Sequence, residues 1–367
     1  MEIVLDNIIY SLQRAGGISV YWSELSRRLL AHDIAPRFLE SQGSELNFFR
    51  QGLAISADRI IRDATTLPVV IQRYRDVFIA ESEPFLFHSS YYRRCSNPRA
   101  IQVVTVHDCT YELFRRGPAK WIHCTQKHRA LRAADGIICV SENTRRDLLR
   151  LYPELSCKRI AVIHNGKGRF VPVAEGAVAA LCRQKELVHK GFVLFVGDRR
   201  SYKNFGFAAS IVQSFPHLSL AIVGGGALNA AEARCLQSML PGRFRHLGMV
   251  SDDDLNLLYN GAFCLLYPSS YEGFGIPVIE AMAAGCPVVA LRASSIPEIS
   301  GDAGLLTSRL ELGEVRRLLV QLELPAFREE VVQRGLANAR RFSWDACFDE
   351  LRAFYGEISG GICRSRI

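Results

Sequence analysis

Short apolar runs alternate with longer stretches of helical period along nearly the whole chain, the signature of parallel sheets built from βαβ units. In the first half the apolar runs predict strands over residues 2–5, 85–88, 103–107, 136–140 and 160–164. Helical spacing predicts helices over 19–31, 119–133 and 142–151, and a mixed pattern over 47–62 is assigned to a helix. After Asn165, a loop with Gly166, Gly168 and Pro172 interrupts the series. A second series follows, with strands over 192–196, 218–223, 244–247, 263–267 and 287–291 and helices over 205–215, 228–240, 252–259 and 277–284. A last helical stretch begins at Trp344 and runs to about residue 357. The predicted fold class is α/β, with Rossmann-like domains over residues 1–170 and 171–343 and residues 344–367 folding back onto the first.

Composition narrows the class. A chain of 367 residues exceeds what one hydrophobic core usually supports, and 49% hydrophobic with 22% charged residues is ordinary for a folded protein. No apolar run approaches a membrane span, and the opening MEIVLDNIIY reads as a first strand rather than a leader. Eleven cysteines between Cys95 and Cys363, with no Cys-x-x-Cys pair, fit reduced thiols in a cytoplasmic protein and argue against a structural metal. Of the formal charge of +8, the excess lies in residues 1–170, with 25 Lys and Arg against 17 Asp and Glu; the remainder holds 20 against 20. The densest patch runs from Arg115 to Arg132, where basic residues interleave with Trp121, Ile122 and Leu131 after the helix-starting Pro118. Such a helix suits peripheral contact with an anionic inner membrane or an anionic acceptor; equally, its apolar side suits packing on the sheet, leaving a solvated basic face. No nucleic-acid motif accompanies the basic residues.

The most informative stretch is FCLLYPSSYEGFGIPVIEAMAAGCPVVA, residues 263–290. Gly273 and Gly275 allow close backbone approach, Pro277 suits the first helical position, and Gly285 suits the helix end. A helix start at the carboxyl end of a parallel strand favours phosphate, through its free N–H groups and the helix dipole. Glu272 in the loop and Glu280 a turn into the helix suit the hydroxyls of a sugar or ribose flanking that phosphate. Without a ligand, the same two residues read as a solvated loop acid and a first-turn acid complementing the dipole. GGGALN over 224–229 lacks the third glycine of a dinucleotide loop, which argues against a dehydrogenase. Asp252, Asp253 and Asp254 read as an acidic first turn capped by Ser251 rather than a metal site.

The form EGFGIPVIE, followed by AMAAGCPVVA and IPEISGDAG, resembles the family 4 glycosyltransferases. Further matching features follow in order: Ala15, Gly16 and Gly17 after the first strand, VTVHD with His107 and Asp108, VSENTRRDL, VIHNGKGRF, and FVGDRRSYKN opening the second series. The likeness covers nearly the whole chain and is weakest over 41–83. It implies the GT-B architecture, two Rossmann-like domains facing across a cleft, and transfer with retention of anomeric configuration without a bound metal or other cofactor. Carried over residue by residue, it implies that Lys203 and one of Arg199 or Arg200 neutralise the donor diphosphate. Glu272 would then contact the transferred sugar and Glu280 the ribose, with backbone N–H groups of Gly273, Phe274, Gly275 and Ile276 on sugar or phosphate. Gly248, Met249 and Val250 would lie near the base, Gly16 and Gly17 near the phosphates, and His107 near the reacting carbon.

LQRAGGISVYWSEL, residues 12–25, is similar to the start of bacterial enzymes that build surface polysaccharide and O-antigen, often from GDP-mannose. That similarity implies transfer of mannose or a related deoxysugar from a nucleotide-sugar donor to a glycan or lipid-linked oligosaccharide acceptor, by a cytoplasmic enzyme peripheral to the inner membrane. Two other readings stand beside transfer: a GT-B-like nucleotide-sugar epimerase and a non-catalytic nucleotide-sugar-binding subunit.

Overall fold

The computed structural model describes residues 1–367 except 33, 35, 64, 66, 366 and 367, with only the backbone of 361–365. The chain divides into two units, Met1–Gly166 with Trp344–Ile367, and Lys167–Ser343.

The first unit holds a seven-stranded sheet. Its strands are β1 Glu2–Asp6, β2 Arg37–Glu40, β3 Ile60–Arg62, β4 Phe85–Ser89, β5 Ala100–Val106, β6 Gly136–Cys139 and β7 Arg159–Val162, in the order β3-β2-β1-β4-β5-β6-β7, all parallel. Helices on both faces bury the central strands, which is why β1, β4 and β6 read as continuous apolar runs. The helix Trp344–Ser365 packs on this sheet through Phe348, Leu351, Phe354, Tyr355 and Ile358. Its docking explains the glycine that opens β6, since a Cβ at Gly136 would stand 2.1 Å from Ile358 Cδ1.

The helix expected over 47–62 does not form. Asn47 caps a single turn, Phe48–Gln51, and the segment ends in the edge strand β3. β2 and β3 carry too few apolar residues to announce themselves, and buried charge fixes their surroundings instead. Glu40 accepts from Asn7 Nδ2 at 2.9 Å and pairs with Arg50. Arg93, itself buried, pairs with Asp6 at 2.6 Å and with Asp63 at 2.7 Å.

The second unit holds β8 Phe192–Val196, β9 Ser219–Val223, β10 Phe244–Gly248, β11 Cys264–Tyr267, β12 Val288–Leu291 and β13 Leu305–Thr307, in the order β10-β9-β8-β11-β12-β13, again all parallel. From β8 the chain winds first towards β10 and then towards β13. The order therefore reverses between β8 and β11, and loops leaving the carboxyl ends of those two strands flank a crevice. Among the described residues no helix is long and apolar enough to cross a membrane. The ten described cysteines are free thiols.

Candidate functional site

The chemistry of the second unit collects at that reversal. Gly197 turns the chain out of β8 at φ 130°, and its N–H donates to Val223 O at 2.9 Å. One 3-10 turn, Ser201–Lys203, then brings the chain to Asn204, held in the left-handed region at φ 51°. Its Nδ2 donates to Pro268 O at 2.8 Å and Ser270 Oγ at 2.7 Å, while the Ser270 N–H donates to Tyr202 O at 2.8 Å. These bonds stitch the loop after β8 to the loop after β11, and the strained residue marks where the structure is over-determined. Across the seam the Lys203 ammonium forms an ion pair with the Glu272 carboxylate, and Tyr267 Oη lies 3.5 Å from the same nitrogen. Both charged side chains are mostly buried, so each is held against the other rather than by water.

The loop after β12 pins the glutamate. Ser294, at φ 48°, accepts from the Glu272 N–H at 2.8 Å; Ser295 Oγ donates to Glu272 O at 3.0 Å and Phe274 O at 2.8 Å. Gly275 stands at φ 99° with Ile296 so close that a Cβ would meet its Cδ1 at 2.8 Å. Only glycine fits there on both counts. The helix Ile276–Ala283 begins immediately, with Pro277 in its first turn, and Gly285 follows its end at φ 73°. Its opening N–H groups are suited to an anion. Glu280 projects from this helix to Tyr259, whose hydroxyl donates to it at 3.1 Å. Burial pushes the Glu280 carboxyl up to about 8, with nearby Asp252 adding to the rise and the tyrosine hydrogen bond opposing it.

Arg199 and Arg200 part company. The side chain of Arg199 is 5% exposed and spends its donors on Glu232 and on the carbonyls of Gly224, Gly226 and Ala227. It thereby locks the left-handed glycines 224–226 and the capping box of Asn229 and Glu232 that starts the helix Ala230–Met239. Arg200 is 51% exposed, with Asp198 at 3.0 Å. Beyond this loop, Gly248 at φ 66° accepts from the Gly224 N–H at 2.7 Å, and Met249 and Val250 lead to Ser251. Ser251 Oγ caps the helix Asp252–Gly261 by accepting from Asp254 N–H at 3.1 Å, which gives the three aspartates their dipole-complementing place.

In the first unit, Gly16 and Gly17 open the helix Gly17–Ala31 after β1, and a Cβ at Gly16 would crowd Gln13 at 2.9 Å. His107 follows the last residue of β5. Tyr21, one turn into the helix, meets the His107 ring edge-on with centroids 5.0 Å apart, so the helix start and the histidine are neighbours. His107 Nε2 is buried without a hydrogen-bond partner. Burial presses its pKa down to about 4, Asp108 opposing the shift and Lys127 adding to it, so the ring is neutral at neutral pH. Sequence reasoning had not singled out Tyr267, Asn204, Ser294, Ser295 or Tyr21. In sequence, Asn204, Ser294 and Ser295 stand out only as polar residues in the loops after β8 and β12.

Comparison with known proteins agrees with this geometry. The family description "Glycosyltransferase Family 4" matches residues 15–166, and "Glycosyl transferases group 1" matches residues 183–309. The O-antigen chain mannosyltransferase B of Escherichia coli is 27% identical over 357 residues, covering 90% of this chain and 93% of that protein. Among solved structures, sucrose-phosphate synthase from Thermosynechococcus elongatus superposes with a TM-score of 0.75 at 19% identity, covering 98% of this chain and all of that one. The Anabaena protein HepE, solved with UDP and glucose, superposes with a TM-score of 0.73 at 17% identity over 97% of this chain and all of its own. Two family matches in the expected order, one on each Rossmann-like unit, and a full-length relative place this chain in the group 1 and family 4 glycosyltransferases of GT-B fold.

Proposed function

We propose that this protein transfers a hexose, mannose or a related deoxysugar, from a nucleotide diphosphate donor such as GDP-mannose to a glycan or lipid-linked oligosaccharide in bacterial surface polysaccharide synthesis. The observation that carries the reading is the Lys203–Glu272 pair beside the start of Ile276–Ala283, at the reversal of strand order. A cation, a helix start and a carboxylate at one point suit a diphosphate bonded to a sugar. The mannose assignment leans on the O-antigen relative.

Lys203 and Arg200 neutralise the diphosphate, assisted by N–H groups from Gly273 to Ile276. Arg199 supports them by holding the glycine loop. Glu272 accepts from sugar hydroxyls, Glu280 from the ribose, and Gly248 to Val250 border the base. By the family resemblance, Gly16 and Gly17 are assigned to phosphate and His107 to the reacting carbon. The acceptor oxygen bonds to the anomeric carbon on the face from which the nucleotide leaves, the bond from that carbon to the diphosphate oxygen breaks, and the departing phosphate takes the acceptor's proton. Anomeric configuration is retained without a protein nucleophile, and the basic side chains supply the charge a divalent ion supplies elsewhere. The test is a screen of GDP-, UDP-, ADP- and dTDP-sugars with proton NMR of the product, repeated in EDTA. Preference for GDP-mannose, an α-linked product and indifference to chelator are expected. Inversion or chelator-dependent loss overturns the mechanism, and isomerisation of donor alone overturns transfer.

A further inference from the structure

The loop that opens the helix Gly17–Ala31 is held by the segment that resembles the family least. No side chain caps this helix, because its cap position is Gly16, and Gly17 is exposed. Left to itself, a run of Ala15, Gly16 and Gly17 would sample many backbone states. Asn47 removes that freedom. Its Nδ2 donates to Gln13 O at 2.7 Å and to Ser19 Oγ at 3.1 Å, one on each side of the glycines. Gln13 Nε2 also donates to Ser19 Oγ, at 2.7 Å, and its amide packs against Gly16, where a Cβ would meet Gln13 Oε1 at 2.9 Å. The next residue adds a main-chain bond, from Phe48 N–H to Arg14 O at 3.0 Å. The carbonyls of Gln13 and Arg14, which lead into the loop, are thus both held by residues 47 and 48.

The clamp is itself fixed. Asn47 and Ser19 are fully buried. Asn47 Oδ1 accepts from the N–H groups of Phe49 and Arg50 at 2.9 and 3.1 Å, so the carboxamide caps its own turn with one atom and grips the loop with the other. Arg50 carries the connection on to Glu40 at the end of β2. A continuous path of hydrogen bonds and one ion pair therefore runs from sheet to turn to glycine loop. Ser, Thr or Asp would cap the turn as well, but only Asn does so while donating two hydrogen bonds from the same side chain. Its chemistry is matched to the loop as well as to the turn. A backbone held in its bound geometry beforehand loses less entropy when the ligand arrives.

We propose that Asn47 is a positioning residue for the donor: without touching it, Asn47 sets the glycine loop in the geometry that meets the donor phosphates. The proposal rests on the assignment of Gly16 and Gly17 to phosphate, and extends the donor machinery into residues 41–83, where the family likeness is weakest.

The test uses full-length protein with the nucleotide sugar that the donor screen selects, its nucleoside diphosphate and its nucleoside. Asn47→Ser keeps a cap for the turn but lacks the reach and the second donor of the carboxamide. It is expected to raise Kd for the diphosphate and KM for the donor by about 10- to 100-fold, the scale of displacing a binding group by a fraction of an ångström to about 1 Å. Kd for the nucleoside and KM for the acceptor should stay unchanged, a split that a general loss of stability would not produce. Ser19→Ala removes the acceptor shared by Asn47 and Gln13; it should act in the same direction by a smaller factor, and it carries the test if melting shows Asn47→Ser to be poorly folded. Equal loss of nucleoside and diphosphate binding, or unchanged diphosphate binding in both variants, overturns the proposal. Gly16→Ala separates this from the reading beneath it, because its Cβ crowds Gln13 within the loop itself. If Gly16→Ala weakens diphosphate binding and the two clamp variants do not, the loop serves phosphate and Asn47 does not position it. If Gly16→Ala leaves diphosphate binding unchanged, the assignment of the loop to phosphate falls, and the proposal falls with it.

Discussion

The Lys203 ammonium and the Glu272 carboxylate form an ion pair across the point where the strand order of the second sheet reverses. On the proposed function, a donor diphosphate entering there would compete with Glu272 for the lysine and free the carboxylate for sugar hydroxyls. Lys203→Ala is expected to lower kcat/KM for donor by about 100- to 1000-fold, the scale of losing one charge-stabilising donor. Glu272→Gln should lose less in donor binding and more in kcat. Because each substitution strands a mostly buried charge, their effects on melting temperature should be strongly non-additive, with a coupling of about 1–3 kcal/mol in a double-mutant cycle. Full transfer by Lys203→Ala at saturating donor would remove the lysine from the phosphate site.

The two arginines offer a cleaner separation. Arg199 ties three carbonyls and Glu232 into one loop, so Arg199→Ala should cost about 2 kcal/mol or more and lower the melting temperature of the second domain. Arg200 meets mainly water and Asp198, so Arg200→Ala should leave melting unchanged and raise KM for donor. Calorimetry and donor titration on both variants check the assignment; a stable Arg199→Ala with impaired donor binding would exchange the roles.

How far these features were legible in sequence depended on what holds them. β8, β11 and the helix Ile276–Ala283 are built from apolar runs and glycine or proline punctuation, and the pattern located them to within a residue or two. β2, β3 and the turn after Asn47 are held by Arg93 with Asp63 and Arg50 with Glu40. Those partners are 30 and 10 residues apart in sequence, and no periodicity reports them. The same limit hid the division of labour between Arg199 and Arg200, which is decided by Glu232 and the glycine loop far along the chain. Ser294 and Ser295 escaped for a related reason: their value lies in pinning Glu272, one strand earlier.

Glu280 makes the second domain sensitive to alkali. Its carboxyl titrates near 8 in the folded protein because burial penalises the anion, against about 4.3 in an unfolded chain. The folded state therefore binds a proton that the unfolded state releases, so stability falls as pH rises from about 4.3 through 8. Glu280→Gln keeps the acceptor for the Tyr259 hydroxyl without the ionisation. It is expected to melt at a higher temperature than the wild type at pH 8.5, with the difference shrinking towards pH 5. A constant difference in melting temperature across that range would show that the carboxyl ionises normally. The same variant should bind donor more weakly if Glu280 holds the ribose.

The first domain carries the opposite dependence. Burial is the leading cause at three histidines, holding His107 near 4 and His88 and His123 near 3, with Lys127 and Arg73 adding to the depression at His123. All three are neutral in the folded protein over the range where unfolded histidine, at about 6.5, takes up a proton. Their contribution is fully present above about 6.5 and is lost as pH falls towards 4, with a slope of up to about 1.4 kcal/mol per pH unit for each ring. His123→Phe preserves the stacking on Tyr111, whose ring lies 3.8 Å away, and removes one titrating group. Melting followed from pH 7 to 5 should show a shallower acid slope for this variant, by about one third of the histidine part. Because His107 is already neutral above pH 5, kcat/KM should show no inflection near 6.5 from this residue. An inflection there that disappears in His107→Gln would mean that the ring is charged in the working enzyme, and the reading of His107 as a neutral neighbour of the reacting carbon would fall.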